Sequence, residues 1–462
     1  MLRYTLRVRD LVHGTILFTE TEEMVINHPF FQRLRQVRQN DIAFYVYPSL
    51  NTSRFEHVLG TCRVAGMMAE NLTKSPKWQT YVLELKHQTG ISSKEDFIQL
   101  ARLYALLHDV GHLPLSHLFE TAVGSSEEVV REWTGVSGFG KLHEGLGAMI
   151  TQQLVEELSF HEHIRQALVR LMMEKAIPLS NQLSVVKSLV DSQIDADRTD
   201  FVRRDGTLAG GEYGNYDIRR LCDSVFIEQD ERGWLNAYSE KALTSMEALL
   251  LDRYRTHVWI HFHHRVVAIK MFLHYLIRQA LGAGLIMKEQ FDPHNTSDFS
   301  LCDDVWLWSV LRNMHAAGET TQMIQRAVFF REKRNVLTLW KSRPTYHEMW
   351  GRVKKAARVT DIQMSFDTLY DEYISDYMGV RALRFETRFE PVGKTAIPLY
   401  SEGKKRLTGK DFKDESVLTS RLNEIAKGDP QDFIILVGRD VGMSAEKVKR
   451  QWVELTARWI RK

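Results

Sequence analysis

Three histidines fall within ten residues in the stretch Leu107-His108-Asp109-Val110-Gly111-His112-Leu113-Pro114-Leu115-Ser116-His117. His108 followed by Asp109 offers a ring nitrogen and a carboxylate oxygen from adjacent positions, two ligand types that one divalent transition ion accepts together. Gly111 and Pro114 bend the chain between the histidines, which suits a site loop better than a core helix. His57, in Arg54-Phe55-Glu56-His57, and Asp197, in Asp195-Ala196-Asp197-Arg198, extend the donor set. Two imidazoles and two carboxylates from His57, His108, Asp109 and Asp197 would leave room on a metal for water and a phosphate oxygen. His112, His117 and, further along the chain, His143 are candidates for positive or proton-donating groups beside such a centre.

These residues must be positioned by helices. Apolar residues recur at three- and four-residue spacing through the first three quarters of the chain, and proline is scarce there. Ser53 is placed to cap a helix that carries His57 in an early turn. Ser92-Ser93-Lys94-Glu95 opens a second helix that runs to Leu107 and leaves His108 and Asp109 at its end. A third is expected from Ser180 through Val185, Val186, Leu189, Val190 and Ile194 to Asp197, and a long bundle helix from Tyr254 to Leu281. Beyond about Tyr377 the pattern turns to short β-rich runs, Phe385-Glu386-Thr387 and Phe433-Ile434-Ile435-Leu436-Val437. The expected fold is mainly α, a helical domain over residues 1–376 followed by a small α+β lobe over 377–462.

Composition excludes several classes. With 61 basic and 59 acidic side chains the net charge is +2, too small to draw the chain to nucleic acid or an anionic membrane by a global field. No stretch approaches the roughly 18–20 consecutive apolar residues of a membrane span, and the N-terminus lacks an apolar signal core, so a cytoplasmic location is expected. Three widely spaced cysteines, Cys62, Cys222 and Cys302, argue for reduced core residues over disulfides or a cysteine zinc site. Two basic clusters, Arg352/Lys354/Lys355/Arg358 and Lys404/Lys405/Arg406/Lys410, read as solvated faces or as phosphate-capturing patches.

The order Arg54-Phe55-Glu56-His57, His108-Asp109-Val110-Gly111-His112, Ser116-His117, Leu142-His143-Glu144 and Asp195-Ala196-Asp197-Arg198-Thr199-Asp200-Phe201 resembles the deoxynucleoside triphosphate triphosphohydrolases of the HD superfamily. Val12-His13-Gly14 and Phe31-Gln32-Arg33-Leu34-Arg35 match the same pattern upstream, so that the similarity covers residues 8 to 285. The resemblance implies an HD-type helical bundle that hydrolyses a dNTP to deoxynucleoside and intact triphosphate by attack at the α-phosphate.

It also assigns roles. His57, His108, Asp109 and Asp197 would hold one divalent transition metal (Mn, Fe, Co, Ni or Zn), with additional Mg accompanying the nucleotide phosphates. His117 would act as general acid with Glu120 orienting it, His143 would hold phosphate, and His112 would assist. Arg54 and Arg198 would contact phosphates, Phe201 would stack, and Gln39 and Asp205 would face the sugar. Asn40, where the family commonly has leucine, is taken as substrate-facing and leaves a ribonucleotide, an alarmone or a cyclic nucleotide open as the alternative substrate. A nucleotide-sensing module with secondary hydrolysis is a further alternative. The resemblance further implies a dNTP or NTP activator and a homo-oligomer, dimer or tetramer, with nucleic acid a possibility that the charge balance does not favour.

Overall fold

A computed structural model describes residues 2–124, 126–315, 318–360, 368–387, 389–393 and 395–461. Helices dominate, and three small sheets accompany them among the described residues. No described helix is long and apolar enough to cross a membrane.

Contacts divide the chain into two compact units, one of residues 1–256, 287–307 and 391–423, the other of 257–286, 308–390 and 424–462. The first unit is organised around the helix Arg54–Leu72, which packs against the helices Lys94–Leu107 and Ala196–Leu208. Ser53 and Glu56 cap it reciprocally, the Ser53 hydroxyl receiving the Glu56 N–H and the Glu56 carboxylate receiving the Ser53 N–H. Val58, Leu59, Cys62, Val64, Ala65, Met68 and Ala69 are buried around most of its circumference, as a central helix requires. Gly60 is needed where this helix meets its neighbour, because a Cβ there would lie 1.9 Å from Asp200 Oδ1 and 2.5 Å from Arg204.

Elsewhere in this unit an antiparallel hairpin, Tyr4–Asp10 with Gly14–Thr19, leads into a short helix, Glu20–Asn27. Glu22, fully buried, receives Arg102 Nε and Nη2 at 2.7 Å each and Gln99 Nε2 at 2.8 Å. A four-stranded sheet joins Val225–Asp230 and Gly233–Ser239 to Pro398–Ser401 and Arg406–Asp411, with Gly233–Ser239 parallel to Pro398–Ser401. The second unit holds an antiparallel sheet whose centre, Asp432–Val437, is buried throughout between Val336–Thr338 and Arg381–Glu386. Trp340, Trp350 and Trp452 cluster in its core, with Trp452 edge to face against the other two. The β-rich runs past Tyr377 are therefore strands within an α+β C-terminal part, although Pro398–Ser401 and Arg406–Asp411 belong to the first unit.

Two long helices expected from periodicity are broken. The stretch from Ser180 to Asp197 is a helix Asn181–Lys187, a reversal, and a new helix beginning at Ala196. The reversal is held by Ala196 N–H on Leu189 O at 2.8 Å and by Asp195, whose carboxylate accepts from Ser192 N–H and Arg198 N–H at 2.7 Å each. The apolar residues 185–194 are buried on both sides of a turn, so their spacing mimicked one helical face. From 254 to 281, the helix Leu243–Thr256 passes into a π-turn, His257–His261, before His264–Gly282 begins with His263 as its cap. The three cysteines are free and buried.

Candidate metal centre

The helix Arg54–Leu72 presents His57 with its ring wholly buried. His57 Nε2 lies 2.9 Å from Asp197 Oδ1 and 3.7 Å from Asp109 Oδ2, while Nδ1 lies 2.8 Å from Asp200 Oδ2. The Asp200 carboxylate cannot donate, so Nδ1 carries the proton and Nε2 is turned toward Asp197 and Asp109. Asp200 is anchored in turn by Arg204 Nε and Nη2 at 3.0 and 2.9 Å and by His13 Nε2 at 2.7 Å, and Arg204 reaches Asp10 at 2.8 Å. His108, at the end of Lys94–Leu107, hydrogen-bonds Ala105 O through Nδ1 at 2.8 Å. Its Nε2 is thereby left buried and without a hydrogen-bond partner.

Such an orphaned nitrogen is costly unless something else binds it. It stands 3.5 Å from Asp109 Oδ2 and 3.8 Å from Asp197 Oδ1. His57, His108 and Asp197 offer one ligand atom each, all within 4.8 Å of one another, and their nitrogen and oxygen donors suit a divalent transition ion. Asp109 borders the group and is ion-paired with Arg54 Nη1, while its Oδ1 lies 3.2 Å from His112 Nε2. Burial alone would push the His57 ring down; hydrogen bonds to Asp197 and Asp200 instead raise its pKa to about 9. Burial would raise the Asp197 pKa, but the neighbouring His108 and His57 rings hold it below the usual carboxylate range.

A second group adjoins the first through Asp109. The rings of His112 and His143 stack at 4.0 Å between centroids, and His117 meets them edge-on at 4.9 and 5.2 Å. Glu120 accepts from Nδ1 of His143 at 3.0 and 3.1 Å, from the His143 N–H at 3.1 Å and from His117 Nδ1 at 3.3 Å. Burial would raise the Glu120 pKa, but the hydrogen bonds from His117 and His143 hold it far below the usual range. His112, buried and beside the Arg54 guanidinium, is kept neutral. Gly111 brings this loop against the helix Leu142–Glu157, where a Cβ would lie 2.2 Å from His143 O and 2.3 Å from Gly147 N.

The remaining residues singled out from sequence are distributed around these two groups. Asn40 Nδ2 donates to Asp205 Oδ1 at 2.6 Å, and the other Asp205 oxygen and the Gln39 side-chain oxygen are buried without partners. Burial lifts Asp205 to about 7 against the lowering effect of Asn40. Phe201 faces the His57 ring edge at 6.5 Å. Arg198 is turned back onto the Asp195 carboxylate and Ser192 O, and Arg54 also donates to Ser116 Oγ at 3.0 Å.

Two residues not singled out by sequence, Asp200 and Asp304, also hold the site in place. Asp200 lies three residues after Asp197 on one helix, a spacing that signals a shared face. Asp304 carried no such signal. Its buried carboxylate accepts Leu115 N–H at 2.7 Å and Arg38 N–H at 3.0 Å, pinning a loop in which Leu115 and Ser116 have φ of 53° and 51°. Two consecutive side-chain-bearing residues in the left-handed region are strained, and the clamp keeps His117 and Arg54 in place despite it.

Residues 54–197 match the HD domain family. An uncharacterized protein of Methanocaldococcus jannaschii is 26% identical over 306 residues, 66% of this chain and 54% of that protein. One from Bacillus subtilis is 27% identical over 236 residues, 50% of this chain and 46% of the relative, so the chain spans about half the length of these curated relatives. Deoxynucleoside triphosphate triphosphohydrolase SAMHD1 of Bos taurus is 32% identical over 140 residues, 30% of this chain and 22% of that protein. A crystal structure of a protein from Aquifex aeolicus shares the fold, with a TM-score of 0.66 at 23% identity over 98% of this chain and 100% of that one. A phosphohydrolase from Bacteroides thetaiotaomicron does so at 0.65 and 18%, over 94% of this chain and 100% of that one. The chain thus carries an HD domain, whose matched residues begin at Arg54, beside the ligand group, and end at Asp197, within it.

Proposed function

We propose that this protein is a metal-dependent phosphohydrolase that converts dNTPs to deoxynucleoside and intact triphosphate. The observation that carries the reading is the pairing of two groups through Asp109: the donors of His57, His108 and Asp197 on one side, and on the other three histidines, of which His117 and His143 are braced by Glu120. Part of the chain is similar to a dNTP triphosphohydrolase. An ion held by His57, His108, Asp109 and Asp197 would polarise the α-phosphate and lower the pKa of an attacking water.

The chain's own residues would do the rest. Water adds to the α-phosphorus, the bond to the sugar O5′ breaks, and His117 Nε2 passes a proton to O5′ while Glu120 holds its Nδ1. The negative triphosphate would itself favour the protonated form of that ring. His143 and His112 flank the phosphates, and Arg54 steadies Asp109. Gln39, Asn40 and Asp205 offer polar atoms for the sugar, Phe201 a ring, and Arg198 a cation once freed from Asp195. Mn, Fe, Co, Ni or Zn at the centre, Mg on the phosphates, a nucleotide activator and a homo-oligomer in the cytoplasm complete the proposal. A ribonucleotide is the second reading, favoured by the polar Asn40–Asp205 pair.

The test is product analysis with the four dNTPs and four NTPs, singly and mixed, in ¹⁸O water with Mn²⁺ or Mg²⁺. Deoxynucleoside and ¹⁸O-labelled triphosphate are expected. Diphosphate with inorganic phosphate as the only products would overturn attack at the α-phosphorus.

A further inference from the structure

We propose that His112, His117 and His143 form a second cation site, made of three imidazoles, that takes a borderline transition ion such as Zn²⁺ or Co²⁺ when nucleotide is absent and so blocks hydrolysis. One nitrogen of each ring lies within 4.8 Å of one from each of the others. Glu120 accepts Nδ1–H of both His117 and His143, and the Asp109 carboxylate faces His112 Nε2 at 3.2 Å. Carboxylates accept, so these three nitrogens hold the protons, and lone pairs remain on His112 Nδ1, His117 Nε2 and His143 Nε2. His112 Nδ1 is buried without a hydrogen-bond partner in a residue only 1% exposed.

A phosphate would need N–H donors at these atoms; a metal needs the lone pairs that are there. Glu120 braces two of the rings from behind, as carboxylates behind metal-bound histidines commonly do. Three nitrogens and no carboxylate select Zn²⁺, Co²⁺ or Ni²⁺ over Mg²⁺. Bonds of about 2.1 Å place tetrahedral donors roughly 3.4 Å apart, so the His112 and His143 rings must unstack by a side-chain rotation. Access is open, since the His117 side chain is 55% exposed.

An ion on His117 Nε2 removes the proton donor, a consequence that rests on the hydrolase reading; ion binding does not. The decisive experiment titrates the metal-depleted full chain with Co²⁺, counting bound ions by native mass spectrometry and following visible absorbance. Two ions per chain are expected for the wild type, and one each for His117→Gln and His57→Gln, with circular dichroism confirming that both variants fold. Excess Mg²⁺ should leave the Co²⁺ spectrum unchanged. A single ion in the wild type, or two retained in both His117→Gln and His143→Gln, overturns the site. In turnover, the second equivalent of Zn²⁺ should slow dNTP hydrolysis at least tenfold, and an unchanged rate overturns the inhibitory role. If no nucleotide is ever hydrolysed while the ion count holds, the hydrolase reading fails and the site stands.

Discussion

Two buried charge clusters in the first unit have opposite characters. At Glu22 both carboxylate oxygens are satisfied, by Arg102, Gln99 and the Thr19 N–H, and the cluster has no open valence. Around His57 the polar atoms are as deeply placed, yet His108 Nε2, His112 Nδ1 and an Asp205 oxygen are left without partners. A closed network ties together the Glu20–Asn27 and Lys94–Leu107 helices; an open one is costly to the folded chain and offers its unpartnered atoms to a ligand. Desolvated charge by itself therefore does not mark a site; what distinguishes the second cluster is that several unpartnered polar atoms gather around His57.

The comparison can be broken most sharply by removing one member of each cluster. Asp197→Ala is expected to lower turnover by a thousandfold or more, on the order of 4 kcal/mol in activation free energy, with little loss of melting temperature, as steady-state assays and calorimetry would show. Arg102→Met should do the reverse: unfolding by urea should reveal roughly 3–5 kcal/mol of lost stability, because Glu22 is left charged and unpaired, while the folded fraction keeps its rate.

Next in size is a pH effect. In metal-free protein His57 has a pKa raised to about 9, so its contribution to stability is complete below about 6.5 and is lost as pH rises through 9. Denaturation of chelator-treated protein should weaken by on the order of 3 kcal/mol across that window. Metal competes with the same proton, so affinity measured by calorimetry should rise about tenfold per pH unit up to 9. A flat profile would mean that His57 does not bind the ion. Smallest is Asp200→Asn, which still orients the ring but less strongly. A loss of about 10–100-fold in metal affinity is expected, with far-UV circular dichroism unchanged.

Much of this site was legible in the sequence because its signals are local. Ser53 and Glu56 announce the helix that carries His57, and His108-Asp109 lies where Lys94–Leu107 ends. The breaks at 188–195 and 257–263 were not legible, since apolar spacing records burial and not whether the chain turns between buried residues. Nor was the clamp on Leu115 from Asp304, which lies 189 residues away in sequence.

The sequence by itself determined which donors are present and that most of them ride on helices, because residue type, caps and periodicity act over a few residues. Only the tertiary structure decided their tautomers and their grouping. Asp200 behind His57, Glu120 behind two histidines and Asp109 between the two groups are contacts across the chain, and such contacts settle which nitrogen holds a proton and which is left to bind.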